Sequence, residues 1–398
     1  MLLPIRPRQA HAQVQSQGQG QGQGRVHVIG RGIVGLSVAF ALQRRGVRVR
    51  IVGPAAKLGS ATVAAVGTST LKGNILATSP LFALKMRGHA GLVDWLNTIE
   101  KASGRAVSRD FSGAFEPFYN QKEYIYQRKR VFHRQFTGCF ALKVLDQRAL
   151  SARFSSGGMF PRQTAGAFHY FRDGWYDPLM CLAALEEALL RGGADFLCGE
   201  VVSIKPNPMG GQLIQTDAGC HEAQQTVLAA GVFSDEILAA SGFSGIRQEP
   251  VEGETVLLGA PQLNDMVLKL GKMNLVVNAG VVRVGSSSRR QADLACCQAS
   301  GLASEELAEL GSTLVGASSV FSSAWGIRGR FKDHSPAIGT LKWANFAQPL
   351  WLATGFYKNG LQLAPLFAEK LADLMLVTPS LSTAMSTAFP LPMSSILS

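Results

Sequence analysis

Apolar positions along this chain follow two rhythms, and the first change of texture comes at Arg25. Val26-His27-Val28-Ile29 reads as a short buried strand that runs into the glycine-rich turn Gly30-Arg31-Gly32-Ile33-Val34-Gly35. Leu36, Ala39, Phe40 and Leu42 then recur at helical spacing, and Arg44-Arg45-Gly46 closes the helix with basic residues and a glycine. Val47, Val49 and Ile51 alternate as a second strand, so the stretch predicts a complete βαβ unit.

The same rhythms recur downstream. Leu84, Met86, Leu92, Trp95, Leu96 and Ile99 predict helix over 81–104. Residues 105–145 turn aromatic and basic and predict strands. Within them the block Tyr124–Arg134 reads as a strand with one apolar and one basic face, in preference to aromatics and cations set to stack and pair with nucleic acid. A helix is expected over Leu179–Arg191, strands over Glu200–Ile204 and Thr226–Ala230, more strands over 250–290, and a last helix over Leu361–Leu376. The alternation predicts a mixed α/β (α+β) chain. A nucleotide-binding domain would be assembled from 25–104, 146–240 and 315–378, with 105–145 and 241–314 forming an inserted, mainly antiparallel sheet domain. Residues 1–24, a Gln-Gly alternation after Pro4 and Pro7, read as a disordered tail, and 379–398 as an irregular one.

Composition narrows the class. At 398 residues with 46% hydrophobic and 17% charged residues, the chain suits one large or two intimate globular domains. No apolar run approaches the roughly 20 residues that span a bilayer, and the N-terminus lacks a secretory apolar segment. The six cysteines (139, 181, 198, 220, 296 and 297) form no C-x-x-C pair, which points to reduced thiols, no metal site and a cytoplasmic location. The net charge of +12 favours anionic partners, though a merely basic surface is the simpler reading.

Gly30, Gly32 and Gly35 carry the most specific chemistry. Between a strand and a helix, such a turn lets the backbone approach a pyrophosphate while the helix N-terminus presents N–H groups to it. The acid expected about 20 residues on, for the adenosine ribose, falls at Gly53. With Lys57 nearby, that loss by itself leans toward NADP.

The segments beyond the turn decide otherwise. Val28–Ser37 resembles the opening of the D-amino-acid-oxidase superfamily, which includes glycine oxidase, sarcosine oxidase and D-amino-acid dehydrogenases. Ala61-Thr62-Val63-Ala64-Ala65-Val66-Gly67, Asp173-Gly174-Trp175-Tyr176-Asp177-Pro178 and Val227-Leu228-Ala229-Ala230-Gly231 resemble its next three segments in order. Trp325-Gly326-Ile327-Arg328 with Asp333–Gly339, and Thr354–Gly360 with Leu363-Ala364-Pro365, resemble its C-terminal elements. The resemblance implies a Rossmann-like FAD-binding domain, a substrate domain on the inserted sheet, and oxidation at a C–N bond. Because 320–365 holds no Cys and 54–70 no His, it implies noncovalent FAD.

Implied cofactor contacts are Gly30, Gly32, Ile33, Val34 and Gly35; Gly53 and Pro54; Ala61, Thr62, Val66, Gly67 and Thr68; Val201; Gly231; and Lys358, Asn359, Gly360 and Leu361. Arg328 is the candidate for a substrate carboxylate, since a guanidinium pairs with it through two parallel hydrogen bonds. Lys358, where glycine-oxidase-like relatives often carry Arg, is a second substrate candidate. No catalytic base is assigned, because an amine bound neutral can pass a hydride to flavin N5 without one. His334, after Asp333, is expected to be structural, and His133 and His169 are not assigned to the site. The expected substrate is a small amine or amino acid of the glycine or D-amino-acid type, with O2 or a quinone as electron acceptor. One alternative is an enzyme modifying the side chain of a tRNA wobble uridine, a relative with a similar Arg328…Asp333-His334-Ser335-Pro336 element. Another is a flavoprotein with a structural or maturation role.

Overall fold

Val26–Ile29 is buried at every position because it is an inner strand of a six-stranded sheet. In spatial order that sheet runs Asp195–Leu197, Val49–Val52, Val26–Ile29, Gln225–Leu228, Leu350–Thr354 and Ala337–Leu341. All neighbours pair parallel except the last two strands, which pair antiparallel. The computed structural model describes residues 25–377, apart from 56–58, 72–79, 136–141, 155–163, 261–263, 316–319, 272, 286, 300, 345 and 347. Both expected tails, Lys57 and Cys139 lie outside the described residues.

A parallel sheet needs cover on both faces, and the strand side chains divide accordingly. Val28, Ile51, Val227 and Ala353 face the helices Ile33–Gln43, Leu92–Ser103, Pro178–Arg191 and Gly360–Val377. Ile29, Val52, Leu228 and Leu352 face the opposite way. There they meet the helix Ser234–Ala240 and a three-stranded antiparallel sheet built from Val201–Pro206, Gln212–Thr216 and Gly219–Ala223. Val28, Ile51 and Val227 are 0% exposed, and each such side chain contributes about 1.5–3 kcal/mol by leaving water.

The second large sheet has ten strands among the described residues and is mostly antiparallel. Its spine is the pair Glu249–Gly259 and Val320–Arg330, which runs in register from Glu249↔Arg330 to Leu258↔Val320 with one shift near the end. Strands from 105–145 and 241–314 build much of it. Gly166–Tyr170 and Val320–Arg330, expected from sequence to belong with the nucleotide-binding stretches, also hydrogen-bond into it.

One expected strand is a helix. Gln121–Gln135 is α-helical, so the basic and aromatic block does not alternate across a sheet. Asn120 caps its N-terminus, with Glu123 reaching back to the residue before the cap. Glu123 N–H donates to Asn120 Oδ1 at 2.9 Å, and Tyr119 N–H donates to Glu123 Oε2 at 2.9 Å. Tyr124 and Val131, seven residues apart, share the inward face; the Tyr124 ring meets Phe118 at 5.2 Å and stacks on Phe168 at 5.8 Å.

Candidate active site

A cavity of about 970 Å³ opens at the carboxyl ends of the parallel strands, in the crevice where such sheets bind ligands. That volume lies at the upper end of the range for small-molecule and cofactor sites. Its floor begins with the glycine turn. Gly30 has φ 114°, and a Cβ there would stand 2.4 Å from the Ala229 carbonyl oxygen, so only glycine lets these strand ends come together. A Cβ on Gly35 would stand 2.0 Å from the Gly30 oxygen, which is how the helix packs down on its strand. Beside Gly32 nothing but Thr62 Oγ1 comes within 4 Å of where a Cβ would be, so backbone faces open cavity.

The helix that follows, Ile33–Gln43, carries no acid in its first turn and no side-chain cap from Gly32. Thr62 Oγ1 accepts from Ile33 N–H at 3.2 Å, and the positive end of the helix dipole points to the cavity. A cradle of backbone N–H groups with no carboxylate in the first turn suits a pyrophosphate. Ser60 through Thr68 continue along the floor. Thr255 Oγ1 holds that segment from the second sheet, donating to the Ala64 oxygen at 2.8 Å.

The roof comes from the long strand pair of the second sheet. Gly326, Ile327, Arg328 and Gly329 line it, with Gly253 opposite. Arg328 Nη2 donates to the oxygens of Glu252 and Ser287, each at 2.7 Å, so its plane is held by backbone carbonyls. Burial lowers the Arg328 pKa from its ordinary value, with Tyr357 opposing that, and a guanidinium so far from neutrality remains charged. At the same end the chain leaves the strand Leu350–Thr354 through Gly355 and Tyr357, both at positive φ, and enters the last helix at Gly360. Lys358 is exposed at the cavity edge, its Nζ 5.5 Å from the Tyr357 ring centre. Thr354 Oγ1 and Gln248 Nε2 both donate to the Gly231 oxygen, at 2.8 and 3.2 Å, and fix the turn at the centre of the site.

Among the residues expected from sequence, Gly30, Gly32, Ile33, Val34, Gly53, Pro54, Ala61, Thr62, Val66, Gly67, Thr68, Val201, Gly231, Arg328, Lys358, Gly360 and Leu361 all line this one cavity. Gly35 and Asn359 do not. Gly35 lies behind the turn, and Asn359 is 9% exposed with its backbone oxygen accepting from Gln362 N–H and Leu363 N–H, so it starts the last helix. His334 is exposed and outside the cavity, with Nε2 3.3 Å from Arg330 Nη1. His169 is buried in the second sheet, stacked on Phe115 at 4.3 Å, and burial lowers its pKa. His133 lies in the helix Gln121–Gln135, and its side chain is outside the described residues.

Arg31, Glu186, Gln248, Asn274 and Tyr357 also line the cavity, and none of them was expected from sequence. Arg31 stands in plain view as a variable position of the glycine motif, and Tyr357 beside Lys358 in the Thr354–Gly360 segment; Glu186, Gln248 and Asn274 belong to elements brought in by tertiary folding. Among the described residues, neither Cys nor His lines the cavity, and no cluster of three metal-ligating side chains occurs. Among the same residues, no helix is long and apolar enough to cross a membrane.

Comparisons with known proteins agree with this geometry. The model of the family described as FAD dependent oxidoreductase (DAO) matches residues 25–374. Glycine oxidase of Geobacillus kaustophilus is 25% identical over 360 residues, covering 88% of this chain and 92% of that protein. The tRNA 5-methylaminomethyl-2-thiouridine biosynthesis bifunctional protein MnmC of Hahella chejuensis is 23% identical over 376 residues. There the match covers 89% of this chain but 57% of the relative, so the chain spans little more than half its length. The crystal structure of glycine oxidase from Bacillus cereus has the same fold, with a TM-score of 0.77, 21% identity, and coverage of 90% of this chain and 96% of that one.

Proposed function

The chain belongs to the family of FAD-dependent oxidoreductases, and on that premise we propose that it oxidises the C–N bond of a small amine or amino acid. FAD is its cofactor, and the chemistry FAD supplies when bound is acceptance of a hydride at flavin N5. Gly30, Gly32 and the first turn of the helix Ile33–Gln43 hold the pyrophosphate. Ala61, Thr62, Val66, Gly67 and Thr68 on the floor and Gly355 with Gly360 at the far end hold the flavin half. We infer noncovalent attachment from the sequence, where 320–365 holds no Cys and 54–70 no His.

The observation that carries the substrate assignment is Arg328, a half-buried cation on the roof of the cofactor cavity, fixed from behind by carbonyls. Nη2 already donates to two carbonyls and Nε faces the Val251 oxygen, so the expected two-point fork gives way to a fixed positive charge. That charge draws the substrate carboxylate and so aims the α-carbon at the floor, raising effective concentration at the reacting bond. Lys358 at the rim adds a second, solvated positive charge to the entrance. Electrons leave to O2 or to a quinone. No protein base is assigned, since the amine binds neutral.

A second reading rests on the helix Gln121–Gln135, which exposes Lys122, Arg128 and Lys129, and on the likeness to the tRNA-modifying relative. One experiment separates the two. Peroxide formation or dye reduction is followed with glycine, sarcosine, a panel of D-amino acids and undermodified tRNA. Turnover with an amino acid and none with tRNA is the expected result. Turnover on tRNA alone, weakening steeply with salt, would replace the amino-acid assignment. A flavoprotein that none of these reduces would have a structural or maturation role instead.

A further inference from the structure

Dinucleotide sites of this build place a carboxylate after the second strand to hold the adenosine ribose, and here that position is Gly53. Its backbone has φ 153°, a conformation that residues with a side chain rarely adopt, so an acid is disfavoured there. A neighbour lies in van der Waals contact above it. A Cβ built on Gly53 would lie 3.7 Å from Arg31 Cγ, so the stem of Arg31 crosses over the strand end. From there the guanidinium lies 4.8 Å from the Phe196 ring centre on the adjacent edge strand. Arg31 Nε and Nη2 both donate to Glu186 Oε1, at 3.2 and 2.8 Å. Glu186 comes from the helix Pro178–Arg191 and lines the same cavity as Gly53 and Pro54. Its other oxygen, Oε2, accepts no hydrogen bond from any described residue.

We propose that Glu186 is the ribose-binding carboxylate of this protein, moved from the strand end to the neighbouring helix and held in place by Arg31. Oε2 accepts from a ribose hydroxyl, while Oε1 is committed to the guanidinium. The pair is neutral as a whole. Nε and Nη2 are engaged by Glu186 and its carboxylate neutralises the guanidinium, so an intact Arg31–Glu186 pair offers a 2′-phosphate little net positive charge, which opposes the NADP leaning of a glycine at position 53. The inference concerns the cofactor's adenosine end and is independent of the substrate assignment.

The test uses the holoprotein and reads flavin release by fluorescence. Glu186→Ala should bind FAD at least about tenfold more weakly, the size of a lost hydrogen bond to a charged group. ADP and adenosine 2′,5′-bisphosphate are then compared as displacers of FAD. Wild type should prefer ADP or treat the two alike. Glu186→Ala should shift that preference roughly tenfold toward the 2′-phosphate, because Arg31 is released to bind it. Glu186→Gln, which keeps the size and one acceptor, should lie between the two and serves if the alanine variant does not fold. Unchanged FAD affinity, or an equal loss for both displacers with their ratio fixed, would overturn the assignment and leave Arg31–Glu186 a structural pair.

Discussion

The two ends of the cavity are built from different material. At the pyrophosphate end the ligand surface is backbone: Gly30 and Gly32, the open end of a helix, and a single hydroxyl from Thr62. At the substrate end it is side chain: Arg328, Gln248, Tyr357 and Lys358, delivered by strands and a loop that lie far apart in sequence. A backbone surface is rigid and tolerates almost no added atom, whereas a side-chain surface can be retuned one residue at a time. The first should therefore break on substitution, and the second should shift.

The harshest way to press that comparison is Gly30→Val. With φ at 114° and the Ala229 oxygen 2.4 Å from the new Cβ, the strand ends must separate. The expected cost is about 3 kcal/mol or more, with little flavin retained, read from visible absorbance per mole of protein and from thermal unfolding. Gly32→Ala, which meets only Thr62 Oγ1 at 3.4 Å, should cost less stability while still weakening FAD.

Acid offers a way to act from beneath the nucleotide end. His27 lies in the strand before the glycine turn, 2% exposed, and burial followed by the nearby Arg50 and Arg25 lowers its pKa to about 4. Neither ring nitrogen has a hydrogen-bond partner among the described residues. Because the folded value lies below the unfolded one of 6.5, the unfolded chain takes up a proton first. Stability is therefore unaffected above about pH 6.5 and falls as pH drops toward 4, by about 3 kcal/mol in full. Denaturant midpoints across that range should decline for wild type and decline less for His27→Val. Parallel curves would show that another group carries the acid sensitivity.

Smaller effects are expected elsewhere. Glu123→Ala removes the side chain that braces the Asn120 cap of the helix Gln121–Gln135 and should cost about 1 kcal/mol without changing flavin content or turnover, since neither end of the cavity uses it. Lys358→Ala, at an exposed edge, should raise KM by no more than about fivefold, consistent with a solvated charge.

The same contrast explains what is legible in the sequence. A backbone surface demands glycine at fixed spacing, so Gly30, Gly32 and Gly35, set between a strand and a helix, mark the βαβ unit and a dinucleotide, while the choice of FAD comes from the segments downstream. Arg328 is legible because it sits in a segment with a recognisable neighbour pattern. Glu186 is not, since it is one of two adjacent glutamates on an ordinary amphipathic helix, and only the fold sets it beside Gly53. Gln121–Gln135 reads wrongly as a strand because its aromatic and basic residues imitate an alternating one. The deciding signal there is the local pair Asn120 and Glu123 rather than the periodicity of the apolar residues.

The most direct test of the account is an anaerobic titration of the bound flavin with an amino acid that wild type turns over, run beside Arg328→Ala. The account predicts that the variant purifies with its full complement of FAD and still bleaches. It should need roughly 100-fold more amino acid to do so, while reduction by the corresponding amine without a carboxylate changes little. A variant that loses FAD, or that titrates at the wild-type concentration, would contradict the division between a backbone-built pyrophosphate end and a side-chain-built substrate end.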